Sequence, residues 1–247
     1  MPLRESEAIV LRSFPLGEGD KLVSFLTRSF GRLRGVARGA RRTKNRFGAS
    51  LEPLSHIRVW FFERETRELV RVQQCELMES FLDAHKNLAA SGPLALLTEI
   101  TEATLPEREP SDAAFRLLLI CAKGMRDADR IALSLSYFAL WSLRIGGWLP
   151  ELDRCSKCNR ALENEAAFTS FHRPGLFCSK CRVPGMTAIG AGALAFARRM
   201  LKEKLNHLEG RGFSADGIRD LTSSCLNLIE HHVERKLQAR KTLESMA

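Results

Sequence analysis

Residues 28–46 read RSFGRLRGVARGARRTKNR and contain eight basic side chains but no aspartate or glutamate. The first half of this segment, from Gly31 to Gly39, alternates between two kinds of residue. Arginines occupy one set of positions and small apolar residues the other: Arg32, Arg34 and Arg38 against Leu33 and Ala37. A period of two residues is the pattern of a β-strand, whose successive side chains point to opposite faces. The segment therefore predicts a strand with an arginine face, followed by a basic loop.

The positive charge of the chain is concentrated in this segment. The formal net charge is +9, and eight of the 38 lysines and arginines lie within residues 28–46, so the remaining 30 nearly balance the 29 acidic residues. An alternative is that these charges merely protect an edge strand from aggregation. Two or three cations would be enough for that purpose, whereas this segment has eight and no acid. The localisation favours binding of an anionic polymer, with neutralisation of phosphates and release of counterions. We predict nucleic-acid contacts from the following side chains: Arg32, Arg34, Arg38, Arg41, Arg42, Lys44, Arg46 and, on a later strand, Arg58.

Strand patterns on both sides of the basic segment predict a β-barrel within residues 1–78. Runs rich in β-branched and aromatic residues are separated by turns and lie at 8–14, 22–27, 55–62 and 69–74. About five short strands with Gly-rich turns are typical of a small closed barrel, and an OB-like barrel is the commonest at this size.

The strand at 55–62 places Trp60 and Phe62 on the same face as Arg58, opposite three apolar residues. Aromatic side chains beside cations can stack on bases, as in many proteins that bind single strands. Large aromatic residues more often fill interiors or domain interfaces, and we favour that interpretation for Trp60.

Beyond Glu76 the apolar residues follow a helical period. Helices are predicted at 77–90, 93–105, 112–126, 130–145, 189–205 and 216–241. Pro93 suits a first helical position and Ser111 suits an N-cap. We therefore predict an α+β multidomain protein. An N-terminal OB-fold β-barrel at 1–78 is followed by an α-helical bundle at 79–150 and 186–247, with a four-cysteine zinc-ribbon module inserted at 151–185.

Four of the seven cysteines form two pairs, Cys155-x2-Cys158 and Cys178-x2-Cys181, separated by 19 residues. The spacing within each pair lets both sulfurs reach one ion, and the gap lets the second pair fold back opposite the first. Four thiolates satisfy the tetrahedral preference of Zn²⁺ and leave no position for water, so we predict one structural zinc ion. Redox-active pairs or disulfides are the alternatives, which the missing βαβ pattern and a reducing compartment disfavour. His172, inside the gap, is a less favoured replacement for one cysteine.

The sequence lacks the common catalytic motifs. Walker-type, HExxH and GxSxG patterns are absent, so we predict that the chain is not an enzyme. A signal-peptide pattern is also absent, and no apolar run approaches the ~18 residues that span a bilayer. We therefore expect a cytoplasmic, nucleoid-associated protein without membrane contact. The three remaining cysteines lie in apolar contexts and are predicted to be core residues: Cys75, Cys121 and Cys225.

Taken together, these features resemble the RecO family of bacterial recombination mediators. The resemblance covers essentially the whole chain and is most specific in GEGD at 17–20, ARGARR at 37–42 and LEP at 51–53. It implies an OB-fold, a helical domain with an inserted zinc module, binding of single- and double-stranded DNA, and annealing of complementary strands. It also implies displacement of single-strand-binding protein and, together with RecR, loading of RecA, which would be an indirect partner.

Two other functions stay open on the residues alone. A zinc-ribbon RNA-binding or transcription-associated factor would prefer RNA or one sequence. A zinc-dependent hydrolase would need an open position at the metal. An annealing mediator would instead bind DNA of any sequence, with an affinity that falls steeply with salt.

Overall fold

The structure, a computed structural model, describes residues 2–63, 68–170, 173–208 and 214–245. The chain forms two compact units, residues 1–126 with 239–247, and residues 127–238. The first unit contains helices that follow the barrel as well as the barrel itself, so the compact units differ from the predicted domains. The predicted limits at 78, 150 and 185 stay a prediction.

A closed five-stranded barrel is the centre of the first unit. Its strands are β1 (Leu3–Leu16), β2 (Asp20–Thr27), β3 (Gly31–Ala37), β4 (His56–Phe62) and β5 (Val70–Glu79). The order around the barrel is β1-β2-β3-β5-β4, and β4 pairs with β1 to close it. All neighbouring strands are antiparallel except β3 and β5, which are parallel. Closure leaves no long unpaired edge that could pair with another chain.

The alternation predicted for the basic segment is confirmed in β3. Its buried residues alternate with half-buried ones, and Arg32 and Arg34 lie on the outer face. The strand ends at Ala37, however, because Gly39 adopts a left-handed backbone with φ of 73°. Arg38 therefore lies in the turn after the strand and not on its face.

The barrel core is made by alternate residues from all five strands. Ile57, Val59 and Phe61 of β4 are each at most 1% exposed, and the ring of Phe25 meets Phe61 edge-on, with centroids 6.3 Å apart. Trp60 is half-buried on the outer face, where its indole Nε1 donates a hydrogen bond to the Glu5 carboxylate at 3.0 Å. The three apolar residues of β4 form its buried face, as their alternation indicates. A core position for Trp60 is wrong, because the alternation places the indole on the opposite face, and its placement at a domain interface stays a prediction.

Helices α1 (Leu82–Lys86), α2 (Leu88–Thr104) and α3 (Asp112–Gly124) follow the barrel. The start of the predicted helix at 77–90 is wrong, because β5 continues to Glu79 and pairs with β4, so that helical structure begins only at Leu82. The Asn87 side chain accepts a hydrogen bond from the Ala89 N–H and starts α2 five residues before Pro93, which lies inside the helix. Ser111 caps α3, as predicted.

The second unit combines helices with a small sheet. The helices are α4 (Ile131–Ile145), α5 (Ala191–Met200) and α6 (Ala215–His232). The strands are β6 (Ala167–Ser170), β7 (Arg173–Phe177) and β8 (Thr187–Ile189), arranged in the antiparallel order β7-β6-β8. In the described residues no helix is both long enough and apolar enough to cross a membrane.

The predicted single helix at 216–241 is two helices, α6 and α7 (Gln238–Ser245). The break occurs where the buried Glu230 carboxylate accepts a hydrogen bond from the Leu237 N–H at 3.0 Å and pairs with Lys236 at 2.9 Å. At the start of α7 the buried Glu99 carboxylate accepts from the Ala239 N–H at 2.8 Å. A hydrophobic period alone does not reveal such a break.

Candidate nucleic-acid interface and metal centre

The eight side chains predicted to contact nucleic acid fall into two groups that differ in their ion pairs. The first group lies on barrel strands, and each member has a carboxylate beside it: Arg32, Arg34 and Arg58. The second group lies in the turn and loop after β3, and all its members are exposed: Arg38, Arg41, Arg42, Lys44 and Arg46. We call residues 38–46 the cationic loop.

Two of the strand arginines share one carboxylate from the α2–α3 connection. Arg32 Nη1 lies 3.2 Å from Glu107 Oε1, and its Nε donates to the Leu105 carbonyl at 3.1 Å. Arg34 Nε lies 2.9 Å from the same Glu107 oxygen. The Arg32 side chain is only 16% exposed, so it is built into this unit of the protein.

Arg58 also has acidic neighbours. Its Nε lies 3.6 Å from Glu5 and its Nη1 lies 3.9 Å from Glu76. Such pairs reduce the charge that a guanidinium can offer to a phosphate. The structure therefore does not bring the strand arginines and the cationic loop together as one uncompensated patch.

The cationic loop has no such compensation. In the described ranges of the chain, no carboxylate lies within the 4.0 Å ion-pair distance of its five cations. Arg46 instead stands over the ring of Phe47, 5.1 Å from the centroid. Five exposed, unpaired cations within nine residues give a strongly positive surface.

Hydrogen bonds hold the cationic loop against the β1–β2 turn. The Gly39 N–H donates to the Asp20 carboxylate at 2.8 Å, and the Arg41 N–H donates to the Gly19 carbonyl at 3.0 Å. The Arg41 guanidinium reaches the Gly17 carbonyl at 2.6 Å. These contacts place the loop at the end of the barrel where β1 meets β2.

Asn45 fixes the other end of the loop, a role that the sequence analysis missed. Its side-chain oxygen accepts from the N–H groups of Phe47 and Gly48, both at 2.9 Å, and its amide donates to the Arg42 carbonyl at 3.0 Å. Phe47 itself is buried in the barrel core. Asparagine in a polar loop before a glycine is the sequence signal that could have indicated this turn.

The four predicted zinc ligands come together in the second unit. The sulfurs of Cys155, Cys158, Cys178 and Cys181 all lie within 4.8 Å of one another. Cys158 Sγ and Cys178 Sγ are 3.8 Å apart. A tetrahedron with Zn–S bonds of ~2.3 Å has sulfurs about 3.8 Å apart, whereas a disulfide requires ~2.05 Å. The donor set and spacing fit one shared metal ion; His172 lies outside the described residues.

The thiols of the cluster influence one another's ionisation. Burial raises the pKa of the Cys155 thiol, but N–H groups of the Cys158, Cys178 and Lys157 backbone outweigh it and bring that pKa down to about 6. A hydrogen bond with the Cys158 thiol raises the pKa of Cys181 to about 12. Neighbouring thiolates repel one another, and a divalent ion removes that repulsion and displaces the protons.

The first cysteine turn is joined to β7 by close backbone contacts. The Ser156 N–H donates to the Leu176 carbonyl at 2.8 Å, and the Leu176 N–H donates to Ser156 Oγ at 3.1 Å. Gly175, with φ of 126°, leaves space for this approach, since a Cβ there would lie 2.6 Å from Ser156 Oγ. The two halves of the cluster are thus aligned by the chain as well as by the ligands.

Arg198 of α5 holds the same segment from the other side, and no sequence pattern indicates this role. Its Nη2 donates to the carbonyls of Leu152 and Leu162 at 2.7 and 2.8 Å, and its Nε lies 2.7 Å from Asp153 Oδ1. The side chain is 24% exposed. It satisfies two main-chain carbonyls that flank the first cysteine pair.

We expect Arg198→Ala to loosen the metal centre without removing a ligand. Hydrogen bonds to a charged donor contribute ~1.5–3 kcal/mol, so the variant should lower the melting temperature by about 5 °C. Its zinc should pass to a chelator faster than that of the wild type. Arg198→Lys, which retains the charge but not the fork of donors, serves as the comparison. Identical zinc release in Arg198→Ala and wild type would contradict this role.

The three cysteines outside the cluster are core residues, as predicted. All are buried. Burial raises the pKa of Cys75 and of Cys225 to about 12, and it also raises the pKa of Cys121. Thiols that stay protonated are poor nucleophiles.

Comparison with known proteins gives the family. Residues 1–81 match the family domain described as "Recombination protein O N terminal", and residues 85–241 match "Recombination protein O C terminal". The DNA repair protein RecO of Koribacter versatilis is 34% identical over 99% of both chains. The RecO proteins of Syntrophobacter fumaroxidans and Streptomyces griseus are each 32% identical over 99% of this chain, and over 98% and 100% of their own lengths. With the basic barrel and the four-cysteine cluster, these matches show that the chain belongs to the RecO family of DNA repair and recombination mediators.

Proposed function

We propose that the chain binds single- and double-stranded DNA through the cationic loop and anneals complementary strands. The observation that carries this proposal is the group of five exposed loop cations without a carboxylate partner in the described residues. Annealing makes and breaks no covalent bond. Cations that neutralise phosphates on two strands reduce their repulsion, and contacts to the backbone alone leave the bases free to pair.

The strand order supports an OB-fold for the barrel. Five strands that close in the order β1-β2-β3-β5-β4 correspond to the small Greek-key barrel that binds oligonucleotides on its strand 2–3 side and neighbouring loops. The cationic loop directly follows β3 and is bonded to the β1–β2 turn. We assign DNA contact to the loop cations first, and a structural role to Arg32, Arg34 and Arg58.

We further propose that the four cysteines hold one structural Zn²⁺. Four thiolates complete a tetrahedral sphere, which leaves no position for a reacting water and argues against a hydrolase. The ion would contribute folding energy to a segment whose strands are only three to five residues long.

Membership of the RecO family supports the assignment of partners to the proposed mediator. They are RecR, single-strand-binding protein on the coated DNA and, indirectly, RecA. In this proposal the chain acts on exposed DNA in the cell. Together with RecR, it helps RecA to replace single-strand-binding protein on that DNA.

The function is tested by DNA binding at several salt concentrations, followed by annealing. If the five loop cations each neutralise one phosphate, the slope of log affinity against log salt is about −4.5 for duplex and about −3.5 for single strands. Scrambled sequences should bind equally, and strands coated with single-strand-binding protein should anneal faster with the protein present. A preference for RNA or for one sequence would instead support the zinc-ribbon factor.

A further inference from the structure

Phe14, close to the end of β1, is unusual among the aromatic residues of this chain. It is 48% exposed, whereas every other aromatic side chain in the part that the structure describes is buried or half-buried. An exposed phenylalanine ring gains nothing for the stability of the barrel core. Its position therefore requires an explanation from its surroundings.

The surroundings of Phe14 combine apolar and cationic groups. Phe14 pairs with Leu22 of β2, and Leu22 pairs with Val36 of β3, so the three form a row across the outer face of the barrel. Three residues after Phe14, the Gly17 carbonyl accepts the hydrogen bond from Arg41. At ~3.4 Å per strand residue, the Phe14 backbone lies on the order of 10 Å from that contact. The exposed ring and the cationic loop are thus neighbours on the same end of the barrel.

We propose that Phe14 stacks on an unpaired base of single-stranded DNA whose sugar–phosphate chain follows the cationic loop. This inference rests on the proposed function and adds a preference to it. A duplex hides the faces of its bases, so only a single strand gains from the ring, while both gain from the loop cations.

Charge and size favour a single strand over a protein partner at this position. Single-stranded DNA offers phosphates for the cations and a π-face on every base, whatever the sequence. The apolar row has three side chains, of which Leu22 and Val36 are already half-buried, and the exposed Leu16 of β1 adds one more beside Phe14. That area is small for a stable protein interface, which covers roughly 800 Å² on each partner.

The test compares Phe14→Ala with wild type on three probes: an oligothymidine of about 20 nucleotides, an abasic strand of equal length and a duplex. We expect the variant to bind the oligothymidine about tenfold more weakly, with an unchanged salt slope, because base stacking is not ionic. Affinity for the abasic strand and the duplex should change less than about twofold. Phe14→Trp should restore binding of the oligothymidine.

Further variants and outcomes distinguish failure of the stacking proposal from failure of the proposed function. Phe14→Leu retains apolar bulk without a π-system and should lose affinity as Phe14→Ala does, even if the alanine variant melts early. Equal losses on the base-containing and abasic strands would make Phe14 a structural residue and overturn the stacking proposal, as would unchanged binding of the oligothymidine. If wild type binds none of the three probes, the proposed function itself fails.

Discussion

Replacing three loop cations, Arg38→Gln, Arg42→Gln and Lys44→Gln, is expected to weaken DNA binding about a hundredfold at moderate salt. Each lost phosphate contact also makes the salt slope shallower by ~0.9 on duplex DNA, about 2.7 in all. These three side chains are exposed and have no ion pair among the described residues, so the fold should remain intact. Fluorescence anisotropy with labelled DNA at several salt concentrations measures both quantities.

The matched control removes the same amount of charge from the same barrel. Arg28, Arg34 and Arg58 have side chains that are 41–45% exposed, and each one lies beside a carboxylate. Their triple change to glutamine should leave DNA affinity within a few-fold of wild type, since the lost charges were already compensated. Equal losses in the two triple variants would mean that net charge alone governs binding, and that the loop has no special role.

Cys178→Ser is expected to abolish zinc binding and to lower the melting temperature by about 10 °C or more. A serine hydroxyl does not replace a thiolate ligand, and structural zinc contributes several kcal/mol of folding energy, each worth ~2–4 °C in a protein of this size. Zinc content from elemental analysis and a thermal melt measure the two effects.

Two comparisons make this prediction specific. Cys225→Ser changes a buried thiol of the same unit outside the cluster, and it should keep one zinc ion even if it melts earlier. Cys178→Ser should keep the salt slope of DNA binding, because the cationic loop belongs to the other unit. Full zinc content in Cys178→Ser would disprove the four-cysteine site, whatever its stability.

Short sequence patterns correctly predicted the structural features that depend only on residues close together in the chain. The alternation in β3, the alternation around Val59 in β4 and the cap at Ser111 follow from backbone geometry over a few residues. The spacing of the cysteines likewise fixed the cluster, because two short turns suffice to bring the sulfurs together. The start of the helix predicted at 77–90 was wrong since its first residues pair with a strand about 20 positions earlier.

Local patterns in the sequence were enough to predict a basic, strand-rich amino-terminal part and a cluster of four cysteines. Which of the cations lack a carboxylate partner depends on how the chain folds. Glu107 lies 75 residues after Arg32 in the chain, yet it compensates Arg32 and Arg34, while the five cations of the loop from Arg38 to Arg46 form no ion pair in the described residues. Counting charges along a chain cannot reveal such pairing, because ion pairs form between groups that folding brings together from distant positions. The same reason explains why Arg198 beside the four-cysteine cluster had no signal in the sequence.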